Sequence, residues 1–170
     1  MLRLAKAFLD IALWRRTPAQ LPASLLLLTL VVAATAALEV LGHFLPPVMN
    51  DRLAVRIALS VVLPLGFAGA VLVLAHRPQR FLQTAIALMG VGVLSGLIQY
   101  PIDSLMQSVG AESLAALPLG FLMLVGLIWY LLACANIWRS ALDSGLMLGA
   151  ALSLSYLLLS ILLEQELLLT

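Results

Sequence analysis

Charge is what this sequence has least of. Asp, Glu, Lys and Arg make up 10% of it, against about 25% in an average soluble domain. Apolar residues make up 64%, and the mean hydropathy is +1.14. A water-soluble globule is excluded by that ratio. The net charge of +1 is too small to imply a nucleic-acid partner. Cysteine is nearly missing too. The single one, Cys134, lies in an apolar run, which excludes an intramolecular disulfide, offers no metal cluster and reads as a small buried residue. The catalytic signatures HExxH and Gly-x-Ser-x-Gly are missing, as is a phosphate-binding glycine loop. No polar segment is long enough to build an active site outside a membrane. The expectation is a non-enzyme with no cofactor and no metal.

What the chain does have is long apolar runs. The stretch from Phe81 to Tyr100 carries no charge over its length, about the span of a bilayer core. Four more runs resemble it, so the sequence predicts an all-α polytopic membrane protein. Its one transmembrane domain, 1–170, is a bundle of five spans at about 23–45, 57–75, 81–100, 114–137 and 145–163. Pro46-Pro47 stops the first span. Pro64 interrupts the second and Pro118 lies in the first turns of the fourth, where a missing backbone N–H kinks a helix. After Tyr100-Pro101 a loop is expected, with Leu105, Met106 and Val109 as one amphipathic turn. Residues 1–16 predict a helix in the membrane interface. Arg3, Lys6 and Asp10 fall on one narrow face and apolar residues fill the rest. Ala34-Thr35-Ala36 is similar to a signal-peptide cleavage site, but the amphipathic lead-in argues against cleavage.

Orientation follows from the basic residues. With the N-terminus in the cytoplasm, the inner segments hold Arg3, Lys6, Arg15, Arg16, Arg77, Arg80 and Arg139. Only Arg52 and Arg56 lie outside. The positive-inside rule selects that arrangement, with Arg15, Arg16, Arg77, Arg80 and Arg139 as its determinants and the C-terminus in the periplasm. Trp14-Arg15 and Trp138-Arg139 read as aromatic and cationic anchors at the inner edge. His43 and His76 then fall on opposite sides, which disfavours a shared metal. No internal repeat is evident, and an odd number of spans disfavours two inverted halves.

Three groups are candidate sites. Glu39 lies about 9 Å inside the Pro46 end of its helix, where an ionised side chain is costly. His43 sits at i+4 on the same face. The pair forms a proton or cation site, or it fixes helix packing, satisfied internally or by Arg52 or Arg56. Small residues come second. Gly92 and Gly96 form one GxxxG and Gly145 and Gly149 another, each a face for packing in one bundle or against another subunit. Third, Trp129, Tyr130 and Asn136 lie too deep in the fourth span for an interfacial belt and read as core or as a ligand pocket.

Two short motifs carry a resemblance. Leu13-Trp14-Arg15-Arg16-Thr17-Pro18 is similar to the basic, proline-containing lead-in of bacterial members of the Yip family. Arg80-Phe81-Leu82-Gln83-Thr84 resembles the opening of their third span. The layout of five close spans with short ends also resembles theirs. The long N-terminal region and acidic-aromatic motif of the eukaryotic members are absent here, so Rab-GTPase binding is not carried over. The resemblance implies a non-enzymatic protein of a bacterial inner membrane with helix-mediated partners.

Two functions follow as expectations. The first is a scaffold or accessory subunit whose partners, beyond the lipid bilayer, are other membrane proteins or a second copy, met through the glycine faces. The alternative is a small transporter or channel that uses Glu39 and His43 as an intramembrane proton or cation site.

Overall fold

The structure is a computed structural model that describes residues 8–13, 15, 18, 21–44, 52–110, 113–114 and 116–169, with the side chains at 43, 44, 168 and 169 left out. Five long helices dominate it: α1 (Leu25–Phe44), α2 (Leu53–Leu74), α3 (Phe81–Val109), α4 (Ala116–Leu142) and α5 (Leu146–Leu169). All five are long and apolar enough to cross a membrane. Their outer faces carry exposed large side chains such as Leu25, Val62, Leu117, Phe121 and Met147. In water such a surface aggregates; in a bilayer it is the lipid contact. The protein is an integral, multi-pass membrane protein.

The bundle is built round the first half of α3. Residues 84 to 91 of that helix are buried without a break. Such a run needs neighbours on every side. α1, α2 and α4 supply three of them. The N-terminal segment supplies another, with Phe8, Ile11, Ala12 and Leu21 joining the core cluster. The interfacial helix expected over 1–16 is described only from residue 8. There it turns Phe8, Ile11 and Ala12 to the bundle and leaves Leu9 and Leu13 exposed. The Phe8 ring occupies the notch at Gly90, where any Cβ would collide with it. Gly90 is nine residues from Phe81, about 13 Å along the helix. This segment therefore reaches well in from the surface. α5 closes the bundle by packing on α4 and α2.

Four span boundaries differ from the sequence expectation. α2 begins at Leu53, one turn early, and takes Arg56 into the helix. α3 runs through Pro101 to Val109, so the loop expected after Tyr100 is helical. Gln107 donates to Asp103 Oδ2 at 3.0 Å and the Ser108 hydroxyl to the Leu105 carbonyl at 2.7 Å, and the helix stops only at Gly110, whose φ is +81°. At 29 residues, α3 is about 43 Å long and its end emerges from a hydrocarbon core of about 30 Å. α4 and α5 likewise outlast their expected ends, reaching Leu142 and Leu169. Trp138 is a second correction. It is 1% exposed and meets Phe67 edge-on, with ring centroids 5.7 Å apart. It is a core residue rather than an interfacial anchor. Trp14, its expected counterpart, lies outside the described residues.

The closest helix approach is between α4 and α5. A Cβ on Gly149 would run into the backbone carbonyl of Ala135, and it would stand 3.2 Å from the Arg139 nitrogen. Backbone cannot rotate aside as a side chain can. Gly145, one turn earlier, has open space round it. Gly149→Ala is therefore expected to lower the thermal stability of the protein in detergent by about 1–3 kcal/mol, the usual cost of overpacking. Gly145→Ala is expected to leave it unchanged. Equal melting of the two variants would contradict this packing.

Candidate functional site

Several charged side chains among the described residues have a specific partner. At one end of the bundle α2 and α4 both finish in left-handed turns, at His76 (φ 58°) and Asp143 (φ 49°). In the first, the Arg77 N–H reaches back to the Leu72 carbonyl at 2.8 Å; in the second, the Ser144 N–H reaches Arg139 at 3.1 Å. These are the wrap-around hydrogen bonds of a helix C-terminus. The two turns are tied together. Arg80 pairs with Asp143 at 2.9 Å, and Arg77 pairs with the same carboxylate oxygen. Arg80 also donates to the Ser140 and Ala141 carbonyls, each at 3.0 Å. A cation there meets the negative end of the α4 dipole. At the opposite end Arg52 does the same for α5, donating to the Leu167 carbonyl at 2.7 Å.

Between these ends, in the half nearer Arg52, lies a cavity of about 400 Å³. Its charged lining comes from three helices. Glu39 stands on α1, Arg56 on α2 and Glu164 on α5, and Tyr100 of α3 joins them near the mouth. Arg56 and Glu39 form an ion pair at 3.7 Å, with the Glu39 side chain 14% exposed. Tyr100 lies beside this pair, and its ring lies 3.3 Å from where a Cβ on Gly42 would stand. The deep end is bounded by Tyr130 and Tyr156. Ser60 also lines the cavity. Pro64, one turn on, has no N–H to give the Ser60 carbonyl. A carbonyl without its helical donor is therefore built into α2 at this depth.

Below the two tyrosines the bundle is nearly closed. A void of about 20 Å³ is lined by Tyr130, Tyr156, Cys134 and Trp138. Phe67 packs on both Tyr156, at 5.5 Å between centroids, and Trp138. Beyond Trp138 lie the Arg77–Arg80–Asp143 ties. The cavity is therefore one-sided, with an aromatic floor and a polar latch behind it.

The sequence-predicted site residues divide accordingly. Glu39 is on the cavity wall with Arg56 as its partner, one of the partners the sequence suggested. His43 follows one helical turn later, but its side chain lies outside the described residues. Gly92 faces the cavity with nothing near it, whereas Gly96 is covered by Leu38 of α1. Gly149 is filled from within the chain and Gly145 is open. Tyr130 forms the floor. Trp129 faces a separate groove between α3 and α4 with Gln99 and Gly126, and Asn136 is half-buried. Arg77, Arg80 and Arg139 cluster at one end. Arg15 is described and exposed, and Arg16 lies outside the described residues. Glu164, Tyr100 and Tyr156 were not singled out from the sequence. In the sequence Glu164 is one charge after an apolar run, and only the helix arrangement brings it near Glu39. Among the described residues no His, Cys, Asp and Glu grouping fits a metal ion.

Asp143 gives the latch a pH signature. Hydrogen bonds from Arg80 first, and Arg77 second, hold its carboxyl down from 3.8 to about 2. A depressed acid contributes stability that is complete above its unfolded pKa and lost as pH falls towards the folded value. The stability difference between wild type and Asp143→Asn should thus be constant above about pH 5 and vanish as pH approaches 2. Melting curves of both proteins across that range test it; a difference that persists unchanged at pH 2 would contradict the latch.

Comparison with family models, with curated proteins and with solved structures gives no match, so the functional reading rests on the geometry of the cavity and the latch.

Proposed function

We propose that this is a non-enzymatic solute carrier, held in its outward-open form. The observation that carries the reading is the convergence of Glu39, Arg56 and Glu164, from three helices, on one cavity. An ionised side chain costs about 2.5–3.5 kcal/mol at mid-membrane on insertion scales, so such groups are kept where they line a water-filled path. Pro64 lines the small void beneath the tyrosines and supplies a place where α2 can bend. The latch at the other end holds the second exit shut. The non-enzymatic assignment rests on the sequence, which lacks the motifs of a nucleophile and its base. A likeness to the Yip family, in five close spans with a basic lead-in, agrees with it.

The orientation proposed is that of a bacterial inner membrane with the N-terminus in the cytoplasm. Arg77, Arg80 and Arg139 then lie inside and the cavity faces the periplasm, in keeping with the positive-inside rule. Gly96 and Gly149 are covered from within the chain, whereas Gly92 and Gly145 have nothing within 4 Å, so a scaffold that meets partners through those open glycines is the second reading.

Gly92→Cys tests the carrier reading. A Cβ there has nothing within 4 Å, so the thiol would stand in the cavity, while native Cys134 is buried. A membrane-impermeant maleimide added from the periplasmic side should label Gly92→Cys and leave wild type unlabelled. Adding Asp143→Asn should release the latch and bring labelling from the cytoplasmic side as well. Labelling from one side only in both proteins would reduce the carrier to a one-sided binding protein. No labelling at all would overturn the open cavity and restore the scaffold reading.

A further inference from the structure

We infer that the cavity takes an organic monocation, a primary amine or a quaternary ammonium compound; this rests on the solute-carrier reading and adds the chemistry of the solute. The charges that line the cavity decide its sign. Arg56 is the cation of the wall, and Glu39 occupies it at 3.7 Å. Arg56 also acts on Glu164, so the wall as a whole carries two carboxylates against one guanidinium. An anionic solute would meet a guanidinium already neutralised and a carboxylate that repels it. A monocation completes the charge balance.

The remaining wall says which kind of cation. Tyr100, Tyr130 and Tyr156 come from three helices and bound the cavity from its mouth to its floor. Aromatic faces attract diffuse, weakly hydrated cations such as alkylammonium groups. A bare metal ion has other needs, namely six or more oxygens within about 2.6 Å for Ca²⁺ and near-ideal octahedral geometry for Mg²⁺. No grouping of that kind is found among the described residues. The volume of about 400 Å³ also far exceeds a single ion. Ser60 adds acceptors of a suitable kind. Its hydroxyl donates to the Ile57 carbonyl at 3.0 Å, which leaves the oxygen lone pairs free to accept from an ammonium N–H. The carbonyl deprived by Pro64 is on the same residue. The ammonium head would therefore sit among Glu164, the tyrosine rings and Ser60, with its alkyl body against Leu59 and Leu63.

The test uses the full chain in lipid nanodiscs, carrying Gly92→Cys as the reporter. Ethylammonium and tetramethylammonium chloride are the probes; sodium chloride, sodium acetate and glycine at equal ionic strength are the controls. Both ammonium probes should slow maleimide labelling of Cys at position 92 in a saturable manner, and the controls should not. Glu164→Gln should raise the half-protecting concentration about two- to fivefold, the scale of an exposed ion pair. Glu164 sits at the mouth and exposed, so this variant is expected to fold. Protection by acetate or glycine, protection equal with sodium, or protection untouched by Glu164→Gln would overturn the monocation and leave the carrier standing. A thiol that no reagent reaches would overturn both.

Discussion

The cost of an unpaired charge in hydrocarbon governs how this protein is arranged. Only about a tenth of its residues are charged, and those described near the bundle have defined settings. Arg80 and Arg52 sit at helix C-termini, where carbonyls without helical partners accept from them. Arg77 and Arg80 share Asp143. Glu39 and Arg56 share one wall of a polar cavity. Each setting answers the same constraint, that lipid supplies no hydrogen bonds. The ends of the bundle answer it with structure, through caps and turns. The cavity answers it by pairing Glu39 with Arg56.

The packing beneath those charges comes from a different property, the smallness of a few side chains. Helices in lipid are not driven together by the hydrophobic effect, because the tails around them are equally apolar. Close approach must do the work. Gly149 lets α5 meet the α4 backbone, and Gly90 lets the Phe8 ring settle on α3. The result is a rigid inner half with eight buried residues of α3 in succession and a looser outer half with a cavity. Pro64 of α2 lies where the two halves meet.

The membrane class and the five helices were legible in the sequence because apolar run length is a direct reading of bilayer thickness. Glu39 was legible for the same reason, as a carboxylate where lipid should be. Arg56 was only half legible. It reads as part of a loop until the helix is seen to begin at Leu53. Pro101 misled in the opposite sense. A proline next to mixed polar residues reads as a helix end, yet α3 carries on to Gly110, where the positive φ stops it. Glu164, Tyr100 and Tyr156 were beyond reach. Nothing local marks them, and their role exists only because α3 and α5 face each other across α1 and α2. Trp138 shows the limit of a repeated dipeptide: the same Trp-Arg pair reads as an anchor, but burial against Phe67 makes it core.

Glu39 and Arg56 hold each other in the cavity wall as an ion pair. A double-mutant cycle in nanodiscs tests it most directly, with unfolding free energies for Glu39→Gln, Arg56→Gln and the two together. Removing one partner leaves the other charge unmatched, so the single losses should sum to clearly more than the loss in the double variant, with a coupling of about 1 kcal/mol or more. Losses that simply add would mean that the two groups do not sense each other, and the account of the cavity would fail.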